Sequence, residues 1–201
     1  ERVERNRAYR AAGSKNSDRL KLVGTPHLFR DTNNPENYIL VPCHSSENRD
    51  YIPLGFLIDG TISNNANLII PNATLYEFGI LTSAMHNDWM RTVAGRLESR
   101  YRYSGTIVYN NFPWPEADEA EKARIAALAE DILLVRADYP EQTLAQLYDP
   151  DKMPPPLKEA HLRLDAAVDR LYRTKPFSDG IERVEFLFDL YEKAVNGQAT
   201  P

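Results

Sequence analysis

Glu98, Arg100 and Arg102 recur at every second position within the stretch Gly95 to Pro115, and they alternate with Ser99, Tyr101 and Tyr103. Successive side chains of an extended strand point to opposite faces, so this spacing predicts three charged groups in a row above an aromatic floor. The chemistry open to such a row is hydrogen-bond recognition rather than bond making. In the major groove of DNA a carboxylate accepts from the cytosine amino group, while a guanidinium donates two parallel bonds to guanine; Glu98 and Arg100 together match one C·G pair. A good bidentate contact of this kind discriminates between bases by about 1–3 kcal/mol. The same pattern also fits an exposed strand whose charges are simply solvated.

Other reactive residue types are sparse and badly spaced. Cys43 is the only cysteine, so no internal disulfide can form and a reducing cytoplasm is the expected compartment. Its neighbour His44 would point away from it on a strand, which argues against a catalytic dyad. The four histidines and one cysteine have no zinc-ligand spacing. His86 and Asp88 lie two apart in a helical pattern and face different directions, and His161 falls within an apolar stripe, where a hydrogen-bonded core histidine is the expectation. No catalytic residue and no metal site is predicted.

The elements that must position the charged row divide the chain in two. Arg2, Arg5, Arg7 and Arg10 follow one side of a helix, and residues 1–22 read as a connector whose arginines are available to phosphates. From Pro26 onward loops with Asn33-Asn34-Pro35 give way to β-patterned runs at Tyr38 to Pro42, Tyr51 to Leu57 and Asn67 to Ile70. A helix from Ser83 to Ala94, capped by Thr82, delivers the chain into the Glu98 strand. That strand resumes at Thr106 to Tyr109 after Ser104-Gly105, and Pro113-Trp114-Pro115 ends it because proline lacks the ladder donor. Beyond, helical periodicity runs over 117–136, 157–172 and 180–195, with Ser178 as the cap of the last. The predicted fold is α+β: a mixed sheet-and-helix domain over 23–115 and a helical bundle over 116–201, hinged at a buried Trp114.

Charge follows the same division. Residues 1–110 carry 13 Lys+Arg against 11 Asp+Glu, and residues 111–201 carry 11 against 18, so the halves stand at +2 and −7. A polyanion is drawn to the first half and repelled by the second, without any polybasic tail. No apolar run is long enough to span a membrane, and no signal-peptide pattern is present. The chain opens Glu1-Arg2-Val3 without an initiator Met, which suggests a piece of a larger protein.

Several segments, taken in order, resemble one family. Ser45-Ser46-Glu47-Asn48-Arg49, Tyr51 to Leu57, Ala73 to His86, the whole of Gly95 to Pro115, Leu164 to Asp169 and Glu182 to Tyr191 are similar to the MmeI-like (type IIL) DNA methyltransferases and restriction-modification enzymes. The resemblance implies a target recognition domain plus the C-terminal helical domain of an enzyme that methylates adenine at N6. It implies S-adenosylmethionine as cofactor in an upstream methyltransferase domain of the same chain, and double-stranded DNA as partner. Carried over position by position, Glu98 with Arg100 reads one base pair and Ala66 with Arg102 another. Ala66 offers no hydrogen bond of its own, which leaves Arg102 free to accept either purine through N7. Arg96, Arg49 and Lys15 are the candidates for backbone phosphates.

The family's catalytic motif, Asn or Asp followed by Pro-Pro and an aromatic, does not occur. Asn111-Phe112-Pro113-Trp114 has the wrong order, no glycine-rich strand-to-helix turn for a methyl donor is found, and the acidic-x-Lys pattern of a nuclease has no convincing copy. The expectation is a chain that reads DNA and catalyses nothing. A module whose acidic bundle binds a partner protein is the alternative; a free-standing hydrolase lacks a nucleophile.

Overall fold

The computed structural model describes residues 1–13, 18–28 and 35–198. The chain forms two compact units, Glu1–Pro35 and Glu36–Pro201. In the first, the expected connector is two helices rather than one, α1 (Arg2–Ala11) and α2 (Asp18–Lys21). Its arginines are largely engaged internally. Arg5 and Arg7 pair with Glu1 and Glu4 along α1, and Arg10 donates to the carbonyls of Leu22, Thr25 and Leu28 at 3.0, 2.6 and 2.6 Å.

The second unit carries two small antiparallel sheets. One orders β3 (Gly55–Leu57), β1 (Tyr38–Pro42) and β4 (Asn67–Pro71); the other orders β2 (His44–Ser45), β6 (Arg100–Arg102) and β5 (Gly95–Leu97). The run Tyr51 to Leu57 is a strand only from Gly55. Pro53 lacks a ladder donor, and the residues before it serve the core instead: the Ile52 amide donates to Asn87 Oδ1 at 2.8 Å and the Tyr51 hydroxyl to Asp165 Oδ2 at 2.6 Å. Thr106 to Tyr109 does not resume the strand. Gly105–Tyr109 is a single π-helical turn, closed by the Asn110 amide on the Gly105 carbonyl at 2.9 Å.

Two short helices, α3 (Leu75–Thr82) and α4 (Ala84–Val93), follow the first sheet. Sequence periodicity detects only the second, because α3 is apolar nearly all round and buried from Phe78 to Thr82. Its start is nonetheless written in the chain: Thr74 and Glu77 form a reciprocal capping box, which satisfies two orphan amides. The cap of α4 is Ser83, not Thr82, since Thr82 still belongs to α3. An acceptor from far along the chain completes that helix start, with Asp165 Oδ1 2.7 Å from the Ala84 amide.

The remaining helices are α5 (Glu119–Ala137), α6 (Leu144–Leu147), α7 (Pro155–Tyr172) and α8 (Gly180–Gln198). Asp179, rather than Ser178, accepts from the Glu182 amide at the start of α8; Ser178 instead donates to the Glu182 carboxylate from both its amide and its hydroxyl. Helix α3 packs on α5 and α4 on α8, so one core runs from Ile39 and Val41 through Phe78, Met85 and Trp89 to Ile132, Leu164 and Leu187. Trp114 is half-buried rather than enclosed. Its ring meets Tyr109 and Phe112 edge-on, at 5.8 and 5.6 Å between centroids, and the chain beside it is tied down by the Tyr172 hydroxyl on the Pro113 carbonyl at 2.8 Å.

Candidate nucleic-acid interface

The predicted row of charges is a hairpin, not one strand. β5 and β6 pair with Leu97 opposite Arg100, Arg96 opposite Tyr101 and Gly95 opposite Arg102, leaving Glu98-Ser99 as a two-residue turn. Glu98 has a φ of 57°. The left-handed region costs an L-residue roughly 1–2 kcal/mol, and a two-residue hairpin with positive φ at its first turn position ordinarily has glycine there. Strict alternation from Glu98 to Arg102 is therefore replaced by a turn residue followed by a strand. The Glu98 and Arg100 side chains still meet: Arg100 Nη2 donates to Glu98 Oε2 at 2.8 Å, with both groups open to solvent.

Residues opposite one another in a ladder share a face of the sheet. Leu97, Arg100, Arg102 and His44, which pairs with Arg102 from the other side, therefore occupy the exposed face. Arg96, Tyr101 and Ser45 occupy the other, where Tyr101 and Ser45 are buried. Gly95 leaves the face open on the β5 side of Arg102, with nothing within 4 Å of where a Cβ would stand. The floor beneath is aromatic as expected and is locked from below. The Tyr103 hydroxyl lies 2.9 Å from His86 Nε2, and that imidazole sits edge-on to Phe112 at 4.6 Å. Burial depresses the His86 pKa to about 3, so the ring is neutral and structural, a core residue rather than a base.

Ala66 reaches the same sheet through backbone bonds. Its carbonyl accepts from the Cys43 amide at 3.0 Å, and the Cys43 carbonyl accepts from the Tyr103 amide at 2.9 Å. Two strand spacings, roughly 10 Å, thus separate Ala66 from the end of β6. The loop holding it is built on asparagine: Asn64 Oδ1 accepts from the Ala66 amide at 2.9 Å and from Asn67 Nδ2 at 3.0 Å. Ala66 itself is exposed.

The three candidates for phosphate contact fare differently. Lys15 lies outside the described residues. Arg49 is half-buried, with its guanidinium 3.5 Å from the Ala145 carbonyl and its own carbonyl accepting from Arg91. Arg96 is folded back onto its own hairpin: its guanidinium lies 3.9 Å from the centroid of the Tyr101 ring and donates to the Ser99 carbonyl at 2.8 Å. Two residues that sequence reasoning passed over join the site, His44 beside Arg102 and Glu47 beside the turn. The Ser99 hydroxyl, then the Glu47 amide, then Arg96 and Arg100 hold the Glu47 carboxyl below its ordinary pKa. No periodicity signals either residue, because both reach the hairpin only through the short strand β2 and the loop after it.

Asp88, which sequence reading kept out of catalysis, is an ion-pair partner. Arg183 makes a two-pronged contact with Asp169 at 2.9 and 2.8 Å and reaches Asp88 at 3.2 Å, joining α8 to α7 and α4. His161 stacks on Tyr51 at 4.1 Å and meets the Tyr148 hydroxyl at 2.7 Å, far from any exposed face. Among the described residues no group of three or more His, Cys, Asp and Glu is placed to hold a metal ion, and no helix is long and apolar enough to cross a membrane.

Comparison with known proteins gives the family of the chain. DNA methyltransferase A of Bacillus subtilis (strain 168) is 47% identical over 174 residues, which is 86% of this chain and 20% of that protein. A solved structure of the type IIL restriction-modification enzyme MmeI in complex with DNA superposes with a TM-score of 0.88 at 44% identity, covering 96% of this chain and 26% of that one. The chain thus spans about a fifth to a quarter of the length of these relatives. The target recognition domain family of MmeI matches residues 1–116 and the MmeI C-terminal domain family matches residues 117–198; the chain belongs to the MmeI family, as a target recognition domain followed by the C-terminal domain.

Proposed function

We propose that this chain is the sequence-reading portion of a larger DNA methyltransferase, and that the exposed face of the β2–β6–β5 sheet enters the major groove. The observation that carries the proposal is the pairing of Glu98 and Arg100 on that face. A carboxylate and a guanidinium in contact, 2.8 Å apart, match an amino donor and a carbonyl acceptor that are themselves paired, which is what cytosine N4 and guanine O6 offer. The pair exists before DNA arrives. Being exposed, it is worth little as an ion pair, so exchanging it for base contacts costs little. Arg102, flanked by Gly95 and His44, reads a second pair, and Ala66 leaves space rather than a competing group on that side.

The activity of the whole protein is proposed from its relatives. Methyl transfer to adenine N6, with S-adenosylmethionine held by an upstream domain of the same polypeptide, fits a chain that has no methyl-donor turn and no catalytic motif of its own. A cytoplasmic location fits the single cysteine, half-buried Cys43.

The test uses the full-length enzyme carrying this chain. Mapping methylated sites should reveal an obligatory C·G pair. Replacing Glu98 and Arg100 together by a pair suited to another base should move the preference at that position alone, while Glu98→Gln by itself should cost activity without retargeting it. An unchanged site with unchanged activity would reduce the row to a solvated surface. That outcome would favour the protein-assembly reading, for which the ready-made Glu98–Arg100 ion pair is the supporting observation. DNA affinity at two salt concentrations separates the readings independently, because each neutralised phosphate adds about 0.9 to the log–log salt slope.

A further inference from the structure

We propose that Arg96 is a positioning residue that holds the Glu98-Ser99 turn in its reading conformation, and that it is not a phosphate contact. The inference rests on the hairpin reading above and assigns a residue that reading leaves without a role. Register puts Arg96 opposite Tyr101, on the anchored face of the sheet, away from the face that carries Arg100 and Arg102. Its guanidinium is held on two sides, 3.9 Å over the Tyr101 ring and 2.8 Å from the Ser99 carbonyl. The ring is fixed from elsewhere, since Tyr101 is buried and laddered to Ser45.

The turn needs such a brace because Glu98 occupies the left-handed region at φ 57°. A side chain held in a sparsely populated backbone conformation relaxes unless its surroundings over-determine it. A guanidinium suits the role: its planar face stacks on an aromatic ring while its edge donates to a carbonyl, which the compact ammonium of lysine cannot do together. Bracing the turn fixes the separation of Glu98 and Arg100, and with it the base pair they accept.

In the full-length enzyme, Arg96→Ala should lower discrimination at the Glu98/Arg100 base pair by about tenfold, the scale of one bidentate contact. Discrimination at every other position and the salt slope of binding should stay as they were. Arg96→Lys, which keeps the charge, should lose part of the same discrimination, whereas a phosphate contact would survive it. In the DNA-free protein, amide exchange at Leu97 to Arg100 should quicken in Arg96→Ala while the core amides keep their protection. Uniform weakening on all sequences with a slope lower by about 0.9, or full function in Arg96→Lys, would overturn the proposal and leave the hairpin reading standing. Failure of the hairpin reading would register separately, as an unchanged site in the Glu98/Arg100 double variant. Should Arg96→Ala fail to fold, Arg96→Lys carries the test alone, since the two roles predict opposite results for it.

Discussion

At the scale of single residues, Glu98 does two things that conflict. Its carboxylate is suited to base recognition, yet its backbone sits where glycine is at ease. Conformational cost concentrated at a recognition residue is a common signature of function. Glu98→Gly should therefore tighten the hairpin, raising amide protection at Leu97 to Arg100 by about the 1 kcal/mol that a left-handed L-residue costs, while abolishing discrimination at its base pair. Glu98→Val, β-branched and intolerant of positive φ, should loosen the same amides and lose the same discrimination. Hydrogen exchange on the DNA-free protein reads the first effect and a panel of substituted duplexes the second. Equal protection in the two variants would mean that the turn does not strain its first residue.

At the scale of elements, the hairpin is only as rigid as the helix pair behind it. Helix α4 leads directly into β5, and the α3–α4 pair rests on α5 and α8. At Gly79 that packing is close enough that a Cβ would stand 2.7 Å from Ile125 Cγ2 and 3.3 Å from both the Ala129 Cβ and the Ile125 carbonyl oxygen. The side chain of Ile125 can rotate, but the α5 backbone cannot give without moving its whole helix. Gly79→Ala should destabilise the chain by about 1–3 kcal/mol through overpacking, despite the higher helix propensity of alanine. Urea denaturation measures it; a stabilised variant would mean that α3 and α5 separate at little cost. Because the strain lies well behind the sheet, base preference should be unchanged in whatever fraction stays folded.

At the scale of the whole molecule, buried titratable groups set the response to acid. Burial lowers the pKa of His86 to about 3, and burial together with the nearby Arg136 charge does the same for His161. In the unfolded chain both take up a proton near pH 6.5, so their contribution to stability is complete above that value and lost as pH falls toward 3. Asp165 runs the other way. Burial outweighs its bonds to Tyr51 and Ala84 and lifts its pKa to about 6, so its folded form gains a proton first and regains stability as pH falls from about 6 to 4. Of these three groups two lose where one gains, so together they make stability fall between pH 6 and 4, by on the order of 1 kcal/mol per pH unit, and more steeply below. Urea midpoints at pH 7.5, 6, 5 and 4 check this, and His161→Gln, which keeps an acceptor for the Tyr148 hydroxyl, should flatten the decline. A midpoint independent of pH over that range would mean that one of the two rings protonates in place, and a midpoint that rises toward pH 4 would mean that both do.

Much of this architecture was legible in the chain. Tyr38–Pro42 as a strand, three long helices after Pro115 and a charged row over an aromatic floor follow from periodicity, caps and proline placement, which are local. The α+β division and the family resemblance were equally readable from ordered segments. What the sequence could not determine is where alternation breaks. Glu98-Ser99 is a turn because the strand doubles back to pair with itself; Thr106 to Tyr109 coils because Trp89 Nε1 takes the Val108 carbonyl at 3.0 Å in place of a ladder partner; and α3 is a helix because its apolar surface meets α5. The last two depend on partners distant in sequence, and the first on a register that alternation alone does not fix. Local spacing named Glu98, Arg100 and Arg102, and only the tertiary structure decided that Glu98 stands at a turn, that Arg96 faces the other way, and that His44 and Glu47 join them.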